Sequence, residues 1–213
     1  MLNASQIADK VLDIVQDPSF DISAVLAELN AFAAHITSRV LFPALEAEAN
    51  VVTVTTAASV NLPDNFQRNL FHCRNATGHP VTVLTSKEQL ARRFGNDLAQ
   101  TGTRTIGVAP AAPLLWYAPI PAVAETLTLS YHRKPDVITS ASTLSFLPDG
   151  FDDLAINWVC WKLYARIEQG TEGNKTDTSY YSNLYLGMLE ELRISIPQGV
   201  SMPSPPVSIP ERW

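Results

Sequence analysis

Proline is excluded from helix interiors, and its placement divides this 213-residue chain into four sections. Residues 1–42 contain only Pro18, residues 43–148 contain nine prolines, residues 151–196 contain none, and residues 197–213 contain five of the fifteen. The two proline-poor sections can hold long helices, whereas the proline-rich middle favours short strands joined by turns. The last section cannot form a helix, because its prolines lack the donor N–H and hold the backbone extended.

The proline-poor sections carry the three- and four-residue spacing of amphipathic helices. Asp17-Pro18 ends the first helix, and Asp21 or Ser23 can cap the second. Apolar residues cover more than half the circumference of the third helix, which predicts that it is the most buried. Helices from both ends of the chain are therefore expected to pack together. The predicted bounds are 4–16, 22–40, 151–169 and 177–194.

The middle section changes to short segments rich in β-branched and aromatic residues, separated by Gly, Pro and Asn. One short helix interrupts them at 86–94, with Ser86 as its N-cap. Asn75 to Pro80 has the composition of a hairpin turn. The pattern predicts a small antiparallel β domain, with strands at 51–56, 68–73, 81–84, 105–108, 114–117 and 126–131.

The predicted fold class is therefore α+β. Residues 1–45 and 149–196 form a helical body, residues 46–148 form an inserted small antiparallel β domain with one short helix, and residues 197–213 form an extended proline-rich C-terminal arm. At about 3.1 Å per residue, such an arm reaches roughly 50 Å.

The second half of the predicted arm carries the apolar residues Val207, Ile209 and Trp213. They are candidate anchors for docking on another subunit or a partner protein. The alternative is a disordered tail, which is the usual state of a proline-rich terminus.

The formal net charge of −6 does not favour a surface that wraps nucleic acid. Residues 1–50 carry two basic and seven acidic side chains, and residues 151–196 carry four and seven. Residues 51–150 carry eight and six. The negative charge is thus concentrated on the helical segments.

The two cysteines, Cys73 and Cys160, are interpreted as free thiols in a reducing compartment, because no secretion signal accompanies them. The N-terminus lacks a basic region followed by an apolar run, and no stretch approaches eighteen uninterrupted apolar residues. The expectation is a soluble protein made in the cytoplasm, with no membrane partner.

No pattern of catalytic, metal-binding or cofactor-binding residues stands out. The four histidines are too scattered for a zinc signature, and a site made of His72, Cys73 and His79 lacks an evident fourth ligand. No serine lies in a nucleophile elbow, and no glycine-rich loop with lysine cradles a phosphate. The sequence predicts a protein that is not an enzyme and holds no metal or cofactor.

Two surface groups have both an ordinary and a functional interpretation. Trp116 and Tyr117 could form a platform that stacks against a ligand, or could pack under a proline-rich loop. A basic group could contact phosphate or an acidic partner, or simply be solvated. Its members are Arg92, Arg93, Arg104, Arg133 and Lys134.

The order of several short segments resembles the head-to-tail adaptor (connector) proteins of tailed bacteriophages. After the two N-terminal helices come Leu62-Pro-Asp-Asn-Phe66, then Glu125-Thr-Leu-Thr-Leu-Ser-Tyr131 leading to Arg133-Lys-Pro135, and then Leu147-Pro-Asp-Gly-Phe151 before a tryptophan-rich helix. The similarity spans nearly the whole chain.

This resemblance implies a structural virion protein of the neck, assembled from chains made in the host cytoplasm. Members of this adaptor family form a dodecameric ring beneath the portal protein, extend the DNA channel and present a surface to a tail-side component. A C-terminal segment commonly docks on the portal, which gives residues 197–213 an expected role. DNA is expected to pass through the channel without specific binding, because acidic helices in the channel wall carry the same sign of charge as the phosphates.

A different function remains open for the β domain. It could act as a receptor- or carbohydrate-binding module, with Trp116 and Tyr117 as the stacking platform.

Overall fold

The computed structural model describes residues 1–95, 98–169 and 176–196. Within these ranges the chain forms an α+β fold, as expected. The α-helices are α1 (Ala4–Val15), α2 (Ile22–Arg39), α3 (Lys87–Phe94), α4 (Asp152–Ile167) and α5 (Thr176–Ser195).

Side-chain caps fix where three of these helices begin. Asn3 accepts from the backbone N–H of Gln6 at 2.8 Å, and the Gln6 side chain accepts from the Asn3 N–H, forming a capping box before α1. Asp21 caps α2 and Ser86 caps α3, as the sequence indicates. Ser23, the alternative cap of α2, instead donates its hydroxyl to Asp21.

Helix α4 lies at the centre of the helical core, since α1, α2 and α5 all pack against it. The expectation that helices from both ends of the chain pack together is confirmed. The segment after the last strand also joins this core: Ile138, Leu144 and Leu147 are buried in it, although the sequence grouped them with the β domain. This segment also holds the chain start, because Ala4 N–H donates to the carbonyl of Ser142 at 2.8 Å.

Three sheets form the β domain. One sheet has the order β1-β9-β3, the second has the order β2-β7-β6-β4, and β5 pairs with β8. The first two enclose a core that includes Val108, Tyr117 and Leu129. The strands are β1 (Glu46–Val52), β2 (Ser59–Asn61), β3 (Phe66–Asn75), β4 (Thr82–Val83), β5 (Thr101–Gly102), β6 (Gly107–Ala111), β7 (Leu114–Ala118), β8 (Ile120–Pro121) and β9 (Thr126–Arg133).

The β1-β9, β9-β3, β2-β7 and β6-β7 pairs are antiparallel, as the sequence predicts, but two short pairs are parallel. β4 pairs with β6 in parallel, and so does β5 with β8. Helix α3 lies between β4 and β6 in the chain, and a crossover of this kind returns the chain in the same direction. The predicted short helix in the middle section was therefore a sequence signal for a parallel pair of strands on either side of it.

No helix in the described ranges combines the length and the apolar character needed to cross a bilayer.

Candidate interaction surfaces

The predicted anchors Val207, Ile209 and Trp213 lie outside the described residues, as does the whole of residues 197–213. The described chain ends at Ile196, which is buried in the helical core. The N–H of Ile196 donates to the carbonyl of Leu192 at 3.0 Å. Ile196, directly after α5, is therefore held in the helical core.

The residues considered as a metal site do not converge. Cys73 is buried in the core of the β domain, whereas His72 and His79 are exposed. No group of three possible ligands among His, Cys, Asp and Glu comes together in the part of the chain that the structure describes. Both cysteines are free thiols, as expected, and burial raises the pKa of Cys73 and of Cys160 to about 12.

Trp116 and Tyr117 do not form a shared stacking platform, because neighbouring residues of β7 face opposite sides of the sheet. Tyr117 is fully buried; its hydroxyl accepts from the N–H of Val54 at 2.8 Å and donates to the Val54 carbonyl at 3.0 Å. Trp116 lines a cavity of about 360 Å³, but the Lys87 ammonium lies over its ring, 3.5 Å from the centroid. For the binding-module alternative, the Tyr117 ring is therefore buried in the core, and the Lys87 ammonium occupies a face of the Trp116 ring.

Two members of the predicted basic group are already engaged. Arg133 pairs with Asp136 at 2.8 Å, and the Lys134 ammonium donates to the carbonyl of Asp64 at 3.0 Å. Arg92, Arg93 and Arg104 are exposed.

Helix α5 exposes apolar side chains on the side that faces away from α4. Its buried side chains are Tyr185, Leu189 and Leu192. Leu184 is 38% exposed and lies nearer to α1 and α4, where it lines a groove. We call the outward group the α5 ridge, and it consists of Tyr180, Leu186 and Ile194. Leu186 and Ile194 lie off the buried stripe, which is the signal that could have revealed the ridge.

A groove of about 480 Å³ runs along one side of α5, between this helix, α1 and α4. The carboxylates of Asp13 and Asp153 line it, and both residues are exposed. Lys10 adds a positive charge to the lining, and we call this surface the α5 groove. Its lining residues are Lys10, Asp13, Ile14, Asp153, Ile156, Asn157, Leu184 and Met188.

Aromatic side chains of α2, α4 and α5 pack together on another side of α5, and we call this group the aromatic cluster. The Trp158 ring lies 4.4 Å from that of His35 and 5.1 Å from that of Tyr185, between centroids. The Lys162 ammonium lies 4.0 Å from the Trp161 centroid and 4.5 Å from that of Trp158. The cluster thus combines aromatic faces with a cation.

Two ionisable members of the aromatic cluster are affected by neighbouring cations. The pKa of His35 is lowered, first by burial and then by the positive charges of Arg39 and Lys162. Burial raises the pKa of Tyr185, and the charges of Arg39 and Arg193 oppose that rise.

The described residues thus form an α+β protein whose helices carry a groove and a group of exposed apolar side chains. The chain belongs to the SU10 adaptor protein family, whose family model matches residues 2–208. This match confirms the resemblance to phage adaptor proteins that the order of sequence segments indicated. No curated protein matches the chain.

Proposed function

We propose that this protein is a head-to-tail adaptor of a tailed bacteriophage. In this role it is a non-enzymatic subunit of a virion ring beneath the portal protein, where it extends the DNA channel and links to a tail-side component. The observation that carries the proposal is the family match over residues 2–208, which includes the helical body, the β domain and most of the predicted arm.

Residues 197–213 are the proposed arm that joins the ring to the portal or to a neighbouring subunit. Docking orders this segment and costs conformational entropy, so it must bury Val207, Ile209 and Trp213 to be favourable. In a ring every subunit presents the same arm, and repeated weak contacts then add avidity. The buried position of Ile196 supports this role, because an arm that starts from a fixed point has a limited volume to search.

The charge of the helices supports passage of DNA without adhesion. Several carboxylates are exposed and form no ion pair within the described ranges, among them Asp9, Asp13 and Asp153. Like charge keeps phosphates from binding to a channel wall.

Electron microscopy of the full chain mixed with the phage's portal protein tests the proposal. The expected result is a symmetric collar below the portal. A portal that stays bare at saturating concentrations of the chain would contradict the proposed function.

The arm has its own test in three serine substitutions, Val207→Ser, Ile209→Ser and Trp213→Ser. We expect this variant to lose collar formation while its circular dichroism and melting temperature match those of the unaltered chain. A matched control replaces Ser201, Ser204 and Ser208 in the same segment with alanine, and it should still form collars. If the apolar-to-serine variant joins the portal as well as the control does, the arm is not the joining element.

A further inference from the structure

The α5 groove is an open and partly apolar surface of the helical body. Ile14 of α1 and Leu184 of α5 line it, and these residues are 37% and 38% exposed. Ile156 and Met188 complete its apolar lining. Its volume of about 480 Å³ lies within the range of about 300–1,000 Å³ that is typical of binding clefts.

Tyrosine rings extend this surface toward the start of α5. Tyr164 of α4 and Tyr181 of α5 are stacked, with ring centroids 5.4 Å apart and 6° between the planes. Tyr180 is 57% exposed, and its ring meets that of Tyr181 edge-on at 5.1 Å between centroids. The Tyr164 hydroxyl donates to the carbonyl of Ile14 at 3.1 Å, which joins the tyrosines to the groove lining. The surface thus continues from an apolar groove to a group of tyrosine rings.

Residues 203–210 of the predicted arm have a composition that suits this surface. They contain four prolines together with Val207 and Ile209, and they carry no charged side chain. Proline-rich segments favour the extended polyproline II conformation and dock in grooves lined by aromatic rings. The segment therefore offers prolines to the tyrosine rings and branched apolar side chains to the groove.

The charges beside the groove and beside the segment are also complementary. Lys10, Asp13 and Asp153 line the groove, and none of them forms an ion pair within the described ranges. Glu211 and Arg212 directly follow the apolar segment. Both surfaces carry both signs of charge, so pairing of each charge with its opposite would fix the register and direction of the docked segment.

The length of residues 197–213 indicates which groove they fill. Tyr180 lies sixteen residues before Ile196, which is about 24 Å along α5. The seventeen residues of the arm span roughly 50 Å when extended. On its own subunit the arm would pass Tyr180 after about eight residues, and Val207 and Ile209 would then lie past the start of α5 and outside the groove. The arm is therefore longer than its own groove requires, and its length suits the groove of an adjacent copy.

We propose that residues 203–210 of one copy of this chain dock in the α5 groove of an adjacent copy. The prolines lie against the tyrosine rings, and Val207 and Ile209 fill the groove. The contact joins two different surfaces, so each copy gives its arm to one neighbour and receives the arm of the other, as in a head-to-tail ring. This inference rests on the ring of the proposed function, and it assigns the neighbouring subunit as the partner of the arm.

A disulfide cross-link between Asp13→Cys in the groove and Ser208→Cys in the arm tests the docking in the full chain. Unlabelled and nitrogen-15-labelled chains that both carry the two substitutions are mixed at low concentration, concentrated with and without the portal protein, and oxidised. Cys73 and Cys160 are buried, so the introduced thiols are the ones that react. Mass spectrometry then distinguishes the two kinds of link, because only a link between chains can join a labelled peptide to an unlabelled one. We expect mixed-label peptides.

A control pair places the second cysteine away from the groove. Glu88→Cys on α3 is exposed and is combined with the same Ser208→Cys. This pair should give far fewer mixed-label peptides than the groove pair. Equal yields from the two pairs would mean that the arm contacts other copies without preference, which contradicts the docking.

A second variant alters the apolar lining of the groove. Adding Ile14→Gln and Leu184→Gln to the cross-linking chain should lower the yield of mixed-label peptides roughly tenfold, because glutamine removes the apolar contact at both positions. The matched control adds Ile22→Gln and Leu186→Gln, which lie outside the groove and are 42% and 52% exposed. It should keep the yield. Melting temperatures are recorded first, so that only folded variants are compared.

Three results would overturn the docking. They are links that join only peptides of the same label, an absence of links both with and without the portal, and equal yields from the groove variant and its control. Failure of the proposed function looks different. Collars that form on the portal without mixed-label links retain the adaptor role and remove only this contact, whereas mixed-label links with a bare portal retain the contact and remove the adaptor role.

Discussion

Arg68 of β3 donates from Nη2 to the backbone carbonyl of Val40 at 2.8 Å. Its Nη1 donates to the carbonyl of Ser38 at 2.6 Å. Helix α2 ends at Arg39, so these carbonyls belong to the turn that lacks helical partners, and a cation is favourable at that end of a helix. Gln67 adds a contact, because its side-chain amide donates to the Thr37 hydroxyl at 2.9 Å. A strand of the β domain thus caps a helix of the helical body.

Replacement of Arg68 by methionine should lower the free energy of unfolding by about 2 kcal/mol, since a charged donor is lost from two carbonyls. Arg74→Met is the matched control on the same strand. Arg74 is exposed and contacts Glu48 at 3.4 Å, so its loss should cost less than about 1 kcal/mol. Chemical denaturation of both variants gives the comparison. Equal losses of unfolding free energy in the two variants would mean that Arg68 does not link the β domain to the helical body.

The helices were the most predictable part of this fold, because caps and apolar spacing are local signals. Ser86 and the Asp17-Pro18 stop could be read directly from the sequence, and Asp21 was one of two candidate caps. Strand bounds were less predictable: β1 begins at Glu46, five residues before the predicted strand. Glu46-Ala-Glu-Ala49 alternates as a half-buried strand does. Its acidic residues are also typical of a helix surface, so the strand was not recognised from the sequence.

Features that depend on contacts between distant residues were not predictable from the sequence. β2, β5 and β8 have only two or three residues, too few to show a period. The aromatic cluster brings together His35 and Trp158, which are more than 120 positions apart. The Trp158 indole N–H and the Tyr185 hydroxyl are buried without hydrogen-bond partners in the described part of the chain, which only the structure reveals.

Helix α5 offers a direct comparison of a core leucine with a ridge leucine. Leu189 is 2% exposed and Leu186 is 52% exposed, on the same helix. Leu189→Ala should lower the free energy of unfolding by about 2–4 kcal/mol, because it leaves a cavity against α4. Leu186→Ala should change it by less than about 0.5 kcal/mol. Thermal and chemical denaturation give both values, and a large loss for Leu186→Ala would place the ridge in the core.

The two cysteines should be inert in the folded protein. Both are fully buried, and with pKa values near 12 only about one thiol in ten thousand is ionised at about pH 8. Ellman's reagent should therefore react with neither until guanidinium chloride unfolds the chain, when two thiols should appear together. Glu88→Cys adds an exposed thiol on α3 as a control that reacts at once. Rapid labelling of the unaltered chain would show that one of the two cores opens readily.

His132 of β9 should make stability depend on pH. Burial lowers its pKa, and the positive charge of Arg68 acts in the same direction, while Glu46, 3.9 Å away, acts against both. The unfolded chain therefore binds a proton more readily than the folded one does. The contribution of His132 to the free energy of unfolding is complete above the pKa of about 6.5 that its ring has in the unfolded chain. This contribution falls as the pH drops below that value.

Replacement by glutamine isolates this effect, because glutamine does not titrate. Between about pH 7.5 and 5.5, the free energy of unfolding of His132→Gln should fall less than that of the unaltered chain. The exposed His79→Gln is the matched control and should keep the slope of the unaltered chain. Urea denaturation at several pH values measures the slopes. If His132→Gln and the unaltered chain lose stability in parallel, protonation of His132 does not oppose folding, and the burial of its ring between Phe71 and Glu46 has no electrostatic cost.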